Sequence, residues 1–181
     1  ADGSGNAATC TGQVTIQDIA APVPVCQDAT VNLDATGNGT LSTANVYASG
    51  SDNCGTVNQV SVSPNTFTCT DIGDVTATLD VNDGNGNTAT CTAEVSIEDN
   101  AAPTATCQNF TLNLDGAGNA TLNTGDVFVA GADNCGTVNQ QSVTPSAYTC
   151  ANAGNNTATL TVNDGNGNTG TCTSEVTVQE S

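Results

Sequence analysis

The chain has 181 residues, 18 Asp and Glu, no Lys, Arg or His, and a net charge of −18. Nothing in it neutralises phosphates, which excludes nucleic acid as a partner, and an anionic membrane surface would repel it. The commonest general bases and amine nucleophiles are missing as well, so the composition argues against an enzyme.

No carboxylate has a cationic side chain to pair with. Each must stay solvated, accept from backbone N–H groups, or bind a metal cation. Aromatic residues are scarce, at 3 Phe, 2 Tyr and no Trp, so a core must come from Val, Leu, Ile and Ala. Domains of about 80 residues gain little from so thin a core and usually need staples. Nine cysteines are available for that. With no His and no C-x-x-C pair to hold zinc, they read as a disulfide framework made in an oxidising, extracellular compartment.

In chain order, the sequence opens inside a motif. Cys10 stands where Cys91 stands later, and Pro22 where Pro103 does. Residues 1–20 are therefore expected to be the C-terminal strand of a preceding repeat. With no signal peptide and no apolar run long enough to cross a membrane, the sequence is expected to be a mature window on a longer array, without direct membrane insertion.

Next come a strand at Thr30–Leu33, a turn over Ala35-Thr36-Gly37-Asn38-Gly39 and a strand at Thr40–Tyr47. Val75, Ala77, Leu79 and Val81 then alternate with Thr76, Thr78 and Asp80, and Cys91, Ala93, Val95 and Ile97 with Thr92, Glu94 and Ser96. Period-two alternation describes half-buried antiparallel strands. Between these runs, Asp83-Gly84-Asn85-Gly86-Asn87 reads as a hairpin turn. No helical segment is predicted.

The whole pattern then repeats. Cys26, Cys54, Cys69 and Cys91 recur as Cys107, Cys135, Cys150 and Cys172, each 81 positions on. Asp52–Gln59 returns letter for letter as residues 133–140, and Val81–Thr88 as residues 162–169. Such self-similarity marks a tandem array. The expected fold class is all-β: tandem immunoglobulin-like β-sandwiches, each with about seven short strands. The expected complete repeats are residues 21–100 and 101–181.

Four cysteines per repeat admit three connectivities. The expected one is Cys26–Cys91 with Cys54–Cys69, and hence Cys107–Cys172 with Cys135–Cys150. The first bridge of each repeat would tie the opening strand to the closing one. A bridge across that span contributes about 4 kcal/mol in the loop-entropy model.

Pro22…Cys26, Asp52-Asn53-Cys54, Phe67-Thr68-Cys69 and Asp83-Gly84-Asn85-Gly86-Asn87…Cys91 together resemble the hyalin-repeat (HYR) pattern. They are more closely similar to the HYR-like repeats of very large surface proteins in Bacteroidota, including gliding-motility adhesins. The resemblance implies an immunoglobulin-like sandwich, export to the cell surface, and a stalk or adhesin role. Basic residues are scattered through typical members and are absent here.

Asp18, Asp52 and Asp83 recur as Asp99, Asp133 and Asp164, with Glu180 at the position of Asp99. In a sandwich of this type the incoming linker, the Asp-Asn-Cys-Gly loop and the last hairpin share one pole. Asp18 is then expected to face Asp52 and Asp83, and Asp99 to face Asp133 and Asp164. Ca²⁺ takes six to eight oxygen ligands, and the carbonyls of Asn53 and Asn85 are candidates to complete the shell. Glu98-Asp99-Asn100-Ala101-Ala102-Pro103 loosely resembles the calcium-binding linkers of cadherins. The plainer alternative is that these aspartates only form turns and cap backbone N–H groups.

The function expected from the sequence is a structural stalk or filament segment of a giant extracellular repeat adhesin. Its partners would be neighbouring repeats and other copies in a fibre. The alternative is a glycan- or protein-binding module of a secreted protein.

Overall fold

The computed structural model describes residues 3–180. Residues 1, 2 and 181 of the expected repeats lie outside the described residues. Residues 6–22 belong to no helix or sheet.

The first sandwich contains β1 (Val23–Cys26), β2 (Ala29–Asn32), β3 (Asn38–Thr40), the helical turn α1 (Thr43–Val46), β4 (Tyr47–Ser51), β5 (Asn58–Ser63), β6 (Thr66–Thr68), β7 (Gly73–Asn82) and β8 (Thr88–Glu98). A four-stranded sheet runs β2-β8-β7-β5, with β2 parallel to β8 and the other pairs antiparallel. The antiparallel pairs β1–β4 and β3–β6 cover the opposite side of the core.

The second sandwich repeats this in the same register. It contains β9 (Thr104–Cys107), β10 (Phe110–Asn113), β11 (Asn119–Thr121), α2 (Thr124–Val127), β12 (Phe128–Ala132), β13 (Asn139–Thr144), β14 (Ala147–Thr149), β15 (Gly154–Asn163) and β16 (Thr169–Gln179). Every element starts and ends 81 positions after its counterpart.

Alternation sets which side chains go inside. Along β7, Ala77, Leu79 and Val81 are buried; along β8, Ala93, Val95 and Ile97 are buried, while Thr92 and Glu94 face solvent. Register pairs Leu79 with Cys91 and Val81 with Ala89. The two cores are nearly the same list shifted by one period, with Phe67 of the first replaced by Tyr148 in the second.

Two local expectations are corrected. The strand expected over Thr40–Tyr47 breaks after Thr40 into α1 and then β4. Asn45 sets the break: its Oδ1 accepts from the Ser42 backbone N–H at 2.9 Å and from the Ser42 hydroxyl at 2.6 Å. That local cap competes with the extended chain. It also turns Val46 inward to full burial. Asp126 caps α2 likewise, accepting from the Asn123 N–H at 2.8 Å.

The second correction concerns the bridges. Cys26–Cys91 and Cys107–Cys172 form as expected, with Cα separations of 5.8 and 5.7 Å. Cys54–Cys69 and Cys135–Cys150 do not form. Cys69 bonds instead to Cys135 of the next repeat, leaving Cys10, Cys54 and Cys150 free and exposed. The reason is the length of β7. Cys54 sits beside the hairpin after Asn82, where its carbonyl accepts from the Asn85 side chain at 3.4 Å. Cys69 opens the 3-10 turn Cys69–Asp71, just before β7 begins at Gly73. Ten strand residues put those ends about 30 Å apart, and a disulfide needs Cα atoms within about 7 Å. The same separation across β15 keeps Cys135 from Cys150.

Candidate metal centre and repeat junction

The hairpin after β7 is organised by one carboxylate. Asp83 Oδ1 accepts from the backbone N–H groups of Asn85, Gly86 and Asn87 at 2.8, 3.1 and 3.0 Å, and its Oδ2 from the Asn87 side chain at 2.6 Å. Asp164 holds the second hairpin in the same way, through Asn166 and Asn168. Burial pushes both carboxyls up, but the Asn87 and Asn168 amides and the backbone donors outweigh it, so both end below the ordinary carboxylate value. They are anions held in place.

Those asparagines also reach the incoming linker. Asn87 donates to the Asp18 carbonyl at 3.3 Å and Asn85 to the Asp18 carboxylate at 3.3 Å. At the second pole the same contacts are tighter. Asn168 donates to the Asp99 carbonyl and Asn166 to the Asp99 carboxylate, both at 3.0 Å. Asp99 is only 5 % exposed.

The third carboxylate comes from the loop after β4 or β12. Asp52 Oδ2 accepts from the Cys54 N–H at 2.9 Å, and Asp133 Oδ2 from the N–H groups of Cys135 and Gly136 at 2.9 and 2.8 Å. This loop presses against the hairpin. A Cβ on Gly136 would collide with the Asp164 carbonyl oxygen, and one on Gly55 with that of Asp83. Only glycine permits so close an approach.

All six sequence-predicted aspartates therefore meet in two triplets. Asp18, Asp52 and Asp83 offer oxygens within 4.8 Å of one another, and so do Asp99, Asp133 and Asp164. One carboxylate oxygen in each triplet, Oδ1 of Asp52 and of Asp133, is buried with no hydrogen-bond donor. An anionic oxygen in that state carries a desolvation cost that a cation would offset. Three hard carboxylates and no soft ligand suit Ca²⁺ better than a transition metal. Asn85, expected near the shell, lies at this site, where its side chain donates to the Asp18 carboxylate and to the Cys54 carbonyl.

Of the asparagines that brace each triplet, only Asn85 was singled out from sequence, although Asn87, Asn166 and Asn168 sit inside the same blocks that recur letter for letter. Asn134 was missed as a junction residue. Its side chain donates to the Asp34 carbonyl of the first sandwich at 3.0 Å, and its own carbonyl lies 3.3 Å from Cys69 Sγ. The second sandwich is thus fixed to the first by the linker, by Asn134 and by the Cys69–Cys135 bridge.

No protein-family model matches the chain, and no curated protein matches it. Among solved structures, the chain is similar to human mucin-like protocadherin EC1-2, at 14% identity over 88% of this chain and 98% of that one, with a TM-score of 0.38. It is also similar to the protocadherin GammaB4 extracellular domain, at 14% identity over 91% of this chain and 33% of that one, with a TM-score of 0.42. For the titin domains z1z2 in complex with telethonin the figures are 16%, 92%, 100% and 0.30. On its own strand order and pairing, the chain is an all-β protein of disulfide-stapled, immunoglobulin-like sandwiches.

Proposed function

We propose that this chain is a segment of an extracellular stalk or surface fibre, in which tandem sandwiches act as stiff spacers and Ca²⁺ sets the angle between them. The observation that carries this is the make-up of the junction. Asp99 ends one repeat, yet it is buried among Asn166, Asn168 and the carboxylates of Asp133 and Asp164 in the next. A binding module needs no such investment in the seam between copies, whereas a spacer does. The duplication of every polar motif, including the triplet at Asp18, Asp52 and Asp83, fits the same role.

Residues 1–20 fit the proposal as the last strand of a preceding repeat. Val14 and Ile16 are 83 % and 93 % exposed, while Val95 and Ile97 at the equivalent positions are 0 % and 1 % exposed. Those side chains match a sandwich core. HYR-like surface proteins of Bacteroidota, such as gliding-motility adhesins, are the proposed setting, and the disulfides support an extracellular one.

The test is thermal unfolding and small-angle scattering, with Ca²⁺ and with chelator at matched ionic strength. Without the cation, repulsion among the three carboxylates should bend the junction and shorten the particle. At about 100 times the dissociation constant, Ca²⁺ should add about 2.7 kcal/mol and raise the melting temperature by several degrees. Asp99→Asn should remove most of that gain at the central junction. Identical melting and identical particle lengths in both conditions would refute the calcium-stiffened spacer.

A further inference from the structure

Cys69 and Cys135 occupy different positions of the repeat, and each position occurs a second time. Cys150 is the later copy of Cys69, and Cys54 is the earlier copy of Cys135. Both are free and exposed. We propose that they are the two halves of the same repeat-to-repeat bridge: Cys150 bonds to the Cys135-type cysteine of a following repeat, and Cys54 to the Cys69-type cysteine of a preceding one. This stands on the Cys69–Cys135 bond and is independent of the calcium assignment.

The surroundings of Cys150 match those of its bonded counterpart. Cys69 Sγ lies 3.7 Å from the Gly37 carbonyl, and Cys150 Sγ lies 3.7 Å from the Gly118 carbonyl. Gly37 and Gly118 share a φ of 75°. At Gly37, a Cβ would lie 3.1 Å from the Asn134 carbonyl oxygen and 3.3 Å from Cys135 Sγ, so the incoming loop is seated directly on that turn. At Gly118 the corresponding place is an open groove lined by Leu114, Asp115, Gly116, Gly118, Cys150 and Glu180. Each of these is the 81-residue counterpart of Leu33, Asp34, Ala35, Gly37, Cys69 or Asp99. In the first repeat that face receives Asn134 and Cys135; in the second, the same face is built and open.

The mirror relation holds at Cys54. Its N–H donates to Asp52 as that of Cys135 donates to Asp133, at 2.9 Å in each case. Cys10 is different in kind. It is the copy of Cys91, whose partner lies within a sandwich. Of the three free cysteines, only Cys54 and Cys150 occupy the repeat positions that form the Cys69–Cys135 bridge.

Bond formation is an oxidation. Two thiols lose two protons and two electrons to form one S–S bond, and a small disulfide such as oxidised glutathione takes both up, becoming two thiols.

The test has two arms. In the present chain, alkylation without reduction should label Cys10, Cys54 and Cys150 and spare Cys69 and Cys135. Finding Cys54 bonded to Cys69 would overturn the proposal. In the second arm the full chain is lengthened after Ser181 by a copy of residues 20–100, with Cys54→Ser in the original first repeat so that the added Cys54 is unique. It is folded in a glutathione redox buffer, with and without Ca²⁺. Peptide mapping should then link Cys150 to the added Cys54, and Cys150 should lose at least nine-tenths of its labelling. Cys150→Ser in the lengthened chain should restore labelling of the added Cys54 with unchanged far-ultraviolet circular dichroism. Continued labelling of Cys150, a mixed disulfide with glutathione as its end state, or pairing of Cys150 with Cys135 would each defeat the proposal.

Discussion

The side chain of Asn168 donates to the carbonyl of Asp99 at 3.0 Å, so the last hairpin of the second sandwich grips the end of the first. The same amide donates to the Asp164 carboxylate at 2.6 Å. One asparagine thus shapes its own turn and holds its neighbour. Asn168→Ala should cost about 1–3 kcal/mol, because it strips a buried carboxylate of a donor. It should also loosen the central junction, whereas Asn87→Ala should leave that junction untouched. Thermal melts combined with amide hydrogen exchange at residues 99–103 will separate the two effects.

Gly136 is needed where the loop after β12 meets the hairpin. Gly136→Ala would drive a methyl into the Asp164 carbonyl oxygen and move Asp133 away from its triplet. The expected outcome is a loss of about 1–3 kcal/mol together with weaker Ca²⁺ binding. Gly84→Ala in the first hairpin serves as the contrast: its added Cβ meets only the Asn58 side chain, at 3.8 Å, and the strain there comes from a φ of 81°. Calorimetric titration with Ca²⁺ reads the difference.

Tyr148 is 1 % exposed and its hydroxyl has no partner. Burial pushes the phenol above its ordinary value. The first sandwich has Phe67 at this position, so the site accepts a bare ring. Tyr148→Phe should be neutral or stabilise by about 1 kcal/mol, since an unsatisfied buried hydroxyl is removed without a cavity. Denaturant midpoints at unchanged slope would show it.

Asp34 shapes the turn after β2. Its Oδ1 accepts from the Thr36 hydroxyl at 2.7 Å and from the Thr36 and Asn38 N–H groups at 2.8 and 3.1 Å. The Thr36 hydroxyl first, and then those backbone donors, hold its carboxyl below the ordinary value. A depressed folded pKa gives stability that is present above the unfolded value, about 3.9, and lost as the pH falls through the folded one. Asp34→Asn should therefore flatten the acid limb of the stability profile below about pH 4, and a melting series across that range measures the slope.

Much of this architecture is legible in the residues. The alternation in Val75–Val81 and Cys91–Ile97 marks β7 and β8, and the one-period recurrence of three aspartates marks both triplets, because a repeated loop carries its chemistry with it. The helical turn at Thr43–Val46 is hidden because four residues are too few to show a period. The Cys69–Cys135 bridge is hidden for another reason. Its separation of 66 residues is almost that of Cys26–Cys91, at 65, so spacing does not tell a bond within a sandwich from one between two. Only the distance between the two ends of β7 decides it.

The Cys26–Cys91 and Cys107–Cys172 bonds also govern how far the chain can be pulled out under load. Each closes a span of 65 residues that tension cannot reel out while the bond survives, withholding about 220 Å of contour per sandwich. The backbone route between the two closed spans runs through residues 92–106, about 50 Å at full stretch. Cys69–Cys135 runs beside that route and joins the two closed spans directly. A single backbone cut in residues 92–106 would therefore leave the sandwiches on one covalent line, and an array of such units would behave as a nearly inextensible cord with a spare strand at the joint.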